Sequence, residues 1–359
     1  MKNHYLFLIW NTAYPNVNLI RKYLSQRFII SHETEIYWDE YLFEMNLNRF
    51  YFDSPTMAKV KMIETGCGPF KVLLVKDENP KFGEVMIRGL VEKVNLNIFD
   101  SKQYLRELTG GGHKIHASNS LDEARSNSLM LGINNKNKIL FSNPPGSIYW
   151  NSLTEALDFL DNFMPYLVLR GVDDIRFNKN PNDDIDLLVV DSKKAAFLLN
   201  AVKSSKLNYR RNYIIKVKNR IVKLDIRDQV DGYYDNKWSK NMLKKRVKNK
   251  SGIYVNNNKN QFYSLAYHVL IHKYSIPEKY KKFIKENNSL SQIKRKLKDF
   301  LDQNDYNYVE PSDLTVGFNY KDAGLKRRLY LLIKPFKSLL RFVPIKLIKF
   351  YAYIKKNSN

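Results

Sequence analysis

Short apolar runs and alternating segments between residues 166 and 228 predict a group of β-strands. The apolar run Tyr166 to Leu169 is followed by a polar loop rich in Asn, and a second apolar run covers 185–190. The segment 209–228 alternates on both sides of Lys218-Asn219, which predicts a hairpin with its turn at that dipeptide. The order is therefore strand, loop, strand and hairpin.

One helical pattern lies before the first of these strands, and another follows the second strand. Ser152-Leu-Thr-Glu155 has the spacing of a capping box and predicts a helix that runs to about Phe163. The stretch 192–203 predicts a helix directly after the strand at 185–190. Strands and helices therefore alternate, which is typical of mixed α/β domains.

A later helix, predicted at 261–274, carries His268 and His272 four residues apart. This spacing can bind a metal ion. We interpret the pair as packed side chains, because no other metal ligand lies close to it in the sequence. Residues 276–305 alternate Lys with apolar positions and predict solvated helices.

The first 142 residues show the same mixture of patterns. The helix predicted at 121–131 has a cap in Ser118 or Ser120, since Asp122-Glu123 lies in the first turn of that helix. Strands are predicted at 4–10, at 27–37 and from Phe70 onward, with helices at 16–27 and 121–131.

Breaker residues at Ser142-Asn-Pro-Pro-Gly146 separate these two regions. We predict a first domain at 1–142, a second at 148–310 and a basic tail at 323–359. The expected fold class is α+β, with two mixed α/β domains and a helical tail.

Composition and charge indicate an anionic partner. The formal net charge of the 359 residues is +24, which favours nucleic acid, a nucleotide or an anionic membrane. The single Cys67 excludes an intrachain disulfide and fits a reducing compartment. No signal peptide and no run of about 20 apolar residues is evident, so we expect a cytoplasmic protein.

Three carboxylates in the predicted strands form a candidate metal site. Asp184 and Asp186 are two residues apart and share one face of a strand, while Ile185 turns to the other face. Asp225 lies in the second arm of the hairpin and supplies a third carboxylate. Adjacent carboxylates repel unless a cation lies between them, and Mg²⁺ (or Mn²⁺) prefers such oxygen ligands. This site would hold the metal against nucleotide phosphates.

The same residues resemble the nucleotidyltransferase fold superfamily. The matching parts are Leu169-Arg170-Gly171, Asp184-Ile185-Asp186 and Asp225. The resemblance implies that the three Asp residues are catalytic and bind the metal, and that Arg170, Gly171 and Lys179 face the phosphates. The sequence departs from the pattern at Arg170-Gly171, where the family usually has Gly-Gly or Gly-Ser.

The N-terminal region resembles the nucleoside diphosphate kinase family at Gly68-Pro69 and at His116-Ala-Ser-Asn-Ser120. The resemblance implies a ferredoxin-like fold in which His116 carries a phosphoryl group, and a neutral imidazole is a competent nucleophile. The first strand runs into Trp10-Asn11, where the family has a phosphate-binding Lys. The alternative is a domain that keeps the fold and uses its pocket only for binding, or not at all. The glycines 110–112 offer backbone N–H groups to a phosphate.

The tail combines Lys and Arg with Leu, Ile and Phe, and Pro335 and Pro344 divide it into short pieces. This composition favours an anchor on an anionic membrane surface. Nucleic-acid binding and a plain docking helix are the alternatives.

Together these features resemble the functional type of the LicD-like and fukutin-like phosphotransferases. The resemblance implies an enzyme that moves a polyol-phosphate or similar group from an activated nucleotide donor to a bacterial surface glycan or glycolipid. It would act at the inner face of the cytoplasmic membrane. A nucleotidyltransferase that modifies RNA or protein, as a toxin does, and a non-catalytic nucleotide-binding scaffold are the alternatives.

Overall fold

The computed structural model describes residues 3–51, 58–87, 89–133, 144, 146–170, 184–204, 212–273, 276–287, 289–313, 316–319 and 323. The chain divides into two compact units, Met1–Tyr149 (unit 1) and Trp150–Asn359 (unit 2). Both units contain helices and sheets, so the fold is mixed α/β, as predicted.

Unit 1 is built on a four-stranded antiparallel sheet with the strand order β2-β3-β1-β6 and a separate hairpin, β4-β5. Its strands are β1 (His4–Ile9), β2 (Ile29–Ile36), β3 (Phe70–Lys76), β4 (Phe82–Ile87), β5 (Leu90–Asn95) and β6 (Ile115–Ala117). Its helices are α1 (Val17–Ser25), α2 (Glu40–Phe50), α3 (Ala58–Thr65), α4 (Leu96–Leu108) and α5 (Leu121–Met130), with a 3₁₀ turn at Asn11–Asn16.

The central strand β1 is apolar on both faces because both faces are covered. Tyr5 and Phe7 pack in a core with Ile20 of α1 and Ile98 of α4. Trp10, just past the strand, packs in an aromatic group on Trp38, Phe43, Phe50 and Phe70.

The three glycines considered for phosphate binding terminate α4. Gly110, Gly111 and Gly112 all have positive φ (82°, 81° and 72°). The amides of Gly110 and Gly111 donate to the carbonyls of Glu107 and Arg106, as in a helix C-cap. Two of the three amides are therefore occupied by the helix end, and the phosphate role predicted for this run is replaced by a structural one.

Unit 2 contains a mixed seven-stranded sheet with the order β12-β13-β7-β8-β11-β10-β9. Its strands are β7 (Tyr166–Arg170), β8 (Ile185–Val189), β9 (Val202–Lys203), β10 (Asn212–Val217), β11 (Arg220–Asp228), β12 (Val247–Lys248) and β13 (Tyr254–Val255). Its helices are α6 (Leu153–Asp161), α7 (Ser192–Leu198), α8 (Asn236–Lys244), α9 (Asn258–Leu270), α10 (Lys281–Glu286) and α11 (Leu290–Gln303), with a 3₁₀ turn at Glu278–Tyr280.

The predicted hairpin is confirmed as β10-β11, and its turn lies at Lys218 and Asn219. The predicted caps of α5 and α6 are also confirmed. Ser120 accepts a hydrogen bond from the amide of Glu123, and Ser152 accepts one from the amide of Glu155.

Helix α11 corrects the expectation that 276–305 is solvated. Its residues Ile293, Leu297, Phe300 and Leu301 are buried in the core that α8 and α9 form on β7 and β8. Their spacing of four, three and one places them on one helix face, so the Lys residues between them occupy only the opposite face.

Some predicted features lie outside the described residues. These are Gly171, Lys179 and, except for Ala323, the basic tail. Within the part of the chain that is described, no helix has both the length and the apolar composition to cross a membrane.

Gly232 fixes the turn that leads from β11 into α8. Its φ is +76°, and a Cβ there would lie 2.5 Å from the backbone carbonyl oxygen of Glu310. Gly252 has a similar φ of +80°, but no described atom lies within 4 Å of a Cβ built on it. A substitution at Gly252 therefore tests backbone strain alone, whereas a substitution at Gly232 adds a steric clash.

We expect Gly252→Ala to lower the free energy of unfolding by about 1–2 kcal/mol, the cost of left-handed backbone for an L-residue. Gly232→Ala adds the clash with Glu310 and should cost about 3 kcal/mol or more. Urea denaturation of both variants measures the difference. Equal losses would show that the turn relaxes without cost.

Candidate functional site

Four polar residues lie in one register row across four strands of unit 2. Asp186 of β8 is the register partner of Asp225 on the parallel strand β11 and of Arg170 on the antiparallel strand β7. Asn212 of β10 is the partner of Asp225 on its other side. Register partners point to the same face of a sheet, so the structure brings Asp186 and Asp225 side by side.

Arg170 reaches this row because β7 contains a bulge. Val168 is opposite Leu187, but the next pair joins Arg170, and not Leu169, to Asp186. Successive residues of a strand point to opposite faces, so one extra residue is enough to turn Arg170 toward the carboxylates. Without the bulge, an apolar side chain would face Asp186.

Two guanidinium groups bind the carboxylates of the row. Arg170 Nε lies 2.9 Å from Asp186 Oδ2, and Arg227 NH2 lies 2.6 Å from Asp225 Oδ2. Arg227 also lies 3.0 Å from Asp313, whose side chain is 1% exposed. Within this group of described residues, three carboxyl groups therefore share two guanidinium groups.

Asp225 is the least compensated member of the row. Burial raises its pKa to about 6, the charge of Arg227 opposes this rise, and the neighbouring Asp186 adds to it. Its Oδ1 is buried and has no hydrogen-bond partner among the described residues. A buried carboxylate oxygen without a donor is costly, so a cation at this position would be stabilised.

Asp184 lies close to this row, because its Oδ2 is 3.4 Å from the side-chain nitrogen of Asn212. It immediately precedes β8 and is exposed. Among the residues that the structure describes, no three Asp, Glu, His or Cys side chains are grouped closely enough to hold a metal ion. The guanidinium groups of Arg170 and Arg227 occupy the two inner carboxylates in this arrangement.

Two tyrosines hold the other side of Arg170. NH2 of Arg170 donates to the hydroxyl of Tyr233 at 2.7 Å, and NH1 donates to that of Tyr234 at 3.4 Å. Burial lowers the pKa of Arg170, but the negative charge of Asp186 and the two phenols outweigh it and the net pKa is raised. Burial raises the pKa of Tyr233 and Tyr234, that of Tyr234 to about 12, so both remain phenols at neutral pH.

His268 and His272 belong to the same aromatic layer. The Tyr233 hydroxyl lies 3.0 Å from His268 Nδ1, and the rings of Tyr233 and His272 are 4.1 Å apart between centroids. Both histidines are buried among aromatic rings, in agreement with their interpretation as packed side chains. Helix α9 ends at Leu270, so His272 lies beyond the helix.

The predicted nucleophile of unit 1, His116, lies in β6 and is buried. Its Nε2 lies 2.8 Å from Asn127 Oδ1. An amide oxygen only accepts hydrogen bonds, so Nε2 carries the proton and Nδ1 keeps its lone pair. Phe50 and Tyr51 pack edge-on against the ring.

Cationic side chains surround His116. Burial lowers its pKa to about 3; the hydrogen bond to Asn127 opposes this, and the charges of Lys102, Lys61 and Arg106 lower it further. The imidazole is therefore neutral at pH 7. Glu123 places one carboxylate near it, with Oε1 3.9 Å from Nε2.

His113, the other histidine of this segment, has a structural contact. Its backbone amide donates to Glu64 at 2.8 Å and ties the glycine-rich loop to α3.

Sequence patterns did not identify several residues of these sites. Arg227 is two positions after Asp225 on the same strand face, so the period of two contained a signal for it. Asp313 and Asn127 reach their partners through tertiary packing and left no local signal. The missed contacts of the two sites are Arg227, Asp313, Asn212, Lys61, Lys102, Arg106 and Asn127.

Comparison with known proteins leaves both resemblances untested. No family model matches the chain, and no curated protein matches it. The argument for function therefore depends on the geometry of the two sites.

The buried His116 makes the stability of the protein depend on pH. An unfolded His titrates near its ordinary pKa of 6.5, whereas that of folded His116 is lowered to about 3. Between these values the unfolded chain binds a proton that the folded chain does not, so stability falls as pH falls below 6.5. His116→Gln removes this titration and can still donate to Asn127.

We expect wild-type protein to lose about 2 kcal/mol more of its unfolding free energy between pH 7 and pH 5 than His116→Gln does. Urea denaturation at the two pH values measures this difference. An identical loss in both proteins would mean that His116 is protonated in the folded state.

Proposed function

We propose that unit 2 is a Mg²⁺- or Mn²⁺-dependent nucleotidyltransferase-type enzyme that transfers a phosphoryl-linked group. The observation that carries the proposal is the register pairing of Asp186 with Asp225, in which the buried Oδ1 of Asp225 has no described partner. Side-by-side carboxylates with an excess of negative charge are the environment that a hard divalent cation stabilises.

The donor set suits such a cation in its chemistry, since it consists of carboxylate oxygens. Asp184, Asp186 and Asp225 would hold the cation once Asp186 and Asp225 turn from the guanidinium groups that they contact here. When bound, the metal would supply positive charge that neutralises the phosphates of the donor during transfer.

Arg170 and Arg227 have a second task in this proposal. Arg227 is shared between Asp225 and Asp313, so it keeps a buried partner when Asp225 turns to a metal. Arg170 lies at the end of β7 and is the described residue best placed to bind a phosphate of the donor. Gly171 and Lys179, the other proposed phosphate contacts, lie outside the described residues.

The proposed substrates are an activated nucleotide donor that carries a polyol-phosphate or similar group and a bacterial glycan or glycolipid acceptor. The composition of the tail supports the choice of acceptor, since Lys and Arg alternate there with Leu, Ile and Phe and favour an anionic membrane surface. We propose that the protein works at the cytoplasmic face of the membrane. Failure to bind anionic vesicles together with tight RNA binding would favour the RNA-modifying alternative.

The domain types are part of the same proposal. The order β2-β3-β1-β6 with α1 and α4 between strands supports a ferredoxin-like domain of the nucleoside diphosphate kinase type. The Asp-x-Asp strand β8, paired in parallel with the strand that carries Asp225, supports a nucleotidyltransferase-type domain.

We expect Asp186→Asn and Asp225→Asn each to weaken Mn²⁺ binding at least about tenfold and to abolish turnover, since each removes a charged ligand. Asp228→Asn is the matched control. Asp228 lies on the same strand but accepts a hydrogen bond from Ser192 at 2.7 Å, and its position three residues from Asp225 turns it to the other face. Electron paramagnetic resonance of free Mn²⁺ measures the affinity.

The same titration at lower pH gives a further outcome. The pKa of Asp225 is raised to about 6, and a protonated carboxyl group is a poor ligand, so affinity should fall below pH 6. Unchanged Mn²⁺ affinity in both variants would exclude a metal at this row.

A second candidate activity is phosphoryl transfer through His116 in unit 1. The hydrogen bond from Nε2 to Asn127 supports it, because it leaves Nδ1 as the nucleophilic nitrogen. The positive charges of Lys61, Lys102 and Arg106 would stabilise an incoming phosphate.

Incubation with a nucleoside triphosphate labelled at its terminal phosphate should give an acid-labile, base-stable phosphoprotein if this activity is present. His116→Gln should remove the label, whereas His113→Gln, whose side chain is not the proposed nucleophile, should keep it. A protein that takes no label from any nucleotide would leave unit 1 as a binding or structural module.

A further inference from the structure

A directed chain of hydrogen bonds runs from helix α9 to the carboxylate row. Arg170 only donates hydrogen bonds, so the Tyr233 oxygen, 2.7 Å from its NH2, is the acceptor. The Tyr233 hydroxyl also forms a hydrogen bond with His268 Nδ1 at 3.0 Å. In the tautomer with the proton on Nε2, Tyr233 donates its own proton to Nδ1. His268 therefore orients Tyr233, and Tyr233 orients Arg170.

Tyr233 is held rigidly enough to transmit this orientation. Gly232 leaves no room for a side chain beside Glu310, and the Tyr233 amide donates to Asp231 Oδ1 at 2.9 Å. The guanidinium of Arg227 lies 4.7 Å from the centre of the Tyr233 ring, and Tyr233 is 3% exposed. The Tyr233 phenol therefore has little freedom to move, and it holds the Arg170 guanidinium in one orientation.

Arg170 has donors left after these contacts. A guanidinium carries five N–H groups. Three of them are directed to Asp186, Tyr233 and Tyr234, and no partner of the other two is recorded in the described residues. These two groups lie at the end of β7 beside the proposed metal ligands.

We propose that Tyr233 and His268 are positioning residues for the proposed transferase and that they aim the remaining N–H groups of Arg170 at a diphosphate of the donor. The inference depends on the proposed function of unit 2. It adds that the recognition of phosphate depends on His268, which lies on helix α9 and not on the sheet. A planar, fixed guanidinium fits two phosphate oxygens at once, so its aim determines affinity.

The test uses full-length protein and two probes, Mn²⁺ alone and inorganic pyrophosphate in the presence of Mg²⁺. Tyr233→Phe removes the hydroxyl that holds Arg170. We expect it to weaken pyrophosphate binding about tenfold or more, the scale for losing a hydrogen bond to a charged group, and to leave Mn²⁺ affinity within about twofold. Isothermal calorimetry measures pyrophosphate binding.

Tyr267→Phe is the matched control. Tyr267 is a buried tyrosine of the same core, but its hydroxyl contacts the backbone of Val309, 3.1 Å from the nitrogen and 3.4 Å from the oxygen. It should lose stability and keep wild-type affinity for both probes. An equal loss of pyrophosphate affinity in Tyr233→Phe and Tyr267→Phe would mean general loosening of the core and would overturn the positioning role.

His268 is tested by two replacements. His268→Asn places an oxygen close to the position of Nδ1 and should keep wild-type binding. His268→Leu offers no acceptor and should lose as much pyrophosphate affinity as Tyr233→Phe does. If His268 acts only through the Tyr233 hydroxyl, the double variant Tyr233→Phe/His268→Leu should bind pyrophosphate no more weakly than Tyr233→Phe alone. Additive losses would overturn the chain of contacts.

The outcomes separate this inference from the proposed function. Wild-type affinity for both probes in Tyr233→Phe would overturn the positioning role and leave the metal site standing. Wild-type protein that binds neither Mn²⁺ nor pyrophosphate would overturn the proposed function and this inference together.

Discussion

The pairing of buried arginines with buried carboxylates is the interaction on which unit 2 depends. Each ion costs several kcal/mol to remove from water, and only well-placed opposite charges and hydrogen bonds return that energy. Arg227 is 3% exposed and contacts Asp225 and Asp313 at the same time. Removing either arginine would leave a carboxylate without its guanidinium partner, so strand register, the bulge in β7 and the chain around Asp313 must all form together.

Unit 1 uses burial to opposite effect. The buried His116 is kept neutral, and the charged groups that act on it most strongly are cations. In the described row of unit 2, Asp186 lies beside Asp225, and the pKa of Asp225 is raised to about 6. One chain thus offers a neutral base with cations near it and a pair of adjacent acids. The first arrangement suits an anion and the second suits a metal ion.

Local patterns were sufficient for much of the fold and for half of the site. Strong alternation predicted the hairpin β10-β11, which the structure confirms. The strand face shared by Asp184 and Asp186 stays a prediction, because β8 begins at Ile185. The second partner of Arg227 was not predictable in the same way, since Asp313 is 86 positions away in the sequence. The orientation of Arg170 was hidden because the bulge breaks the period of two. Helix α11 was misjudged because its many Lys residues concealed an apolar face.

The bulge in β7 makes the length of that strand matter more than its composition. Any of its apolar residues has chemically similar replacements that would fill the same space. A deletion of one residue between Tyr166 and Leu169 would remove the extra residue and leave Arg170 opposite Asp186 in a regular strand. One inserted residue would instead place Leu169 opposite Asp186 and turn Arg170 to the other face. Homologues of this protein should therefore vary freely in the letters of β7, whereas selection should remove insertions in that stretch.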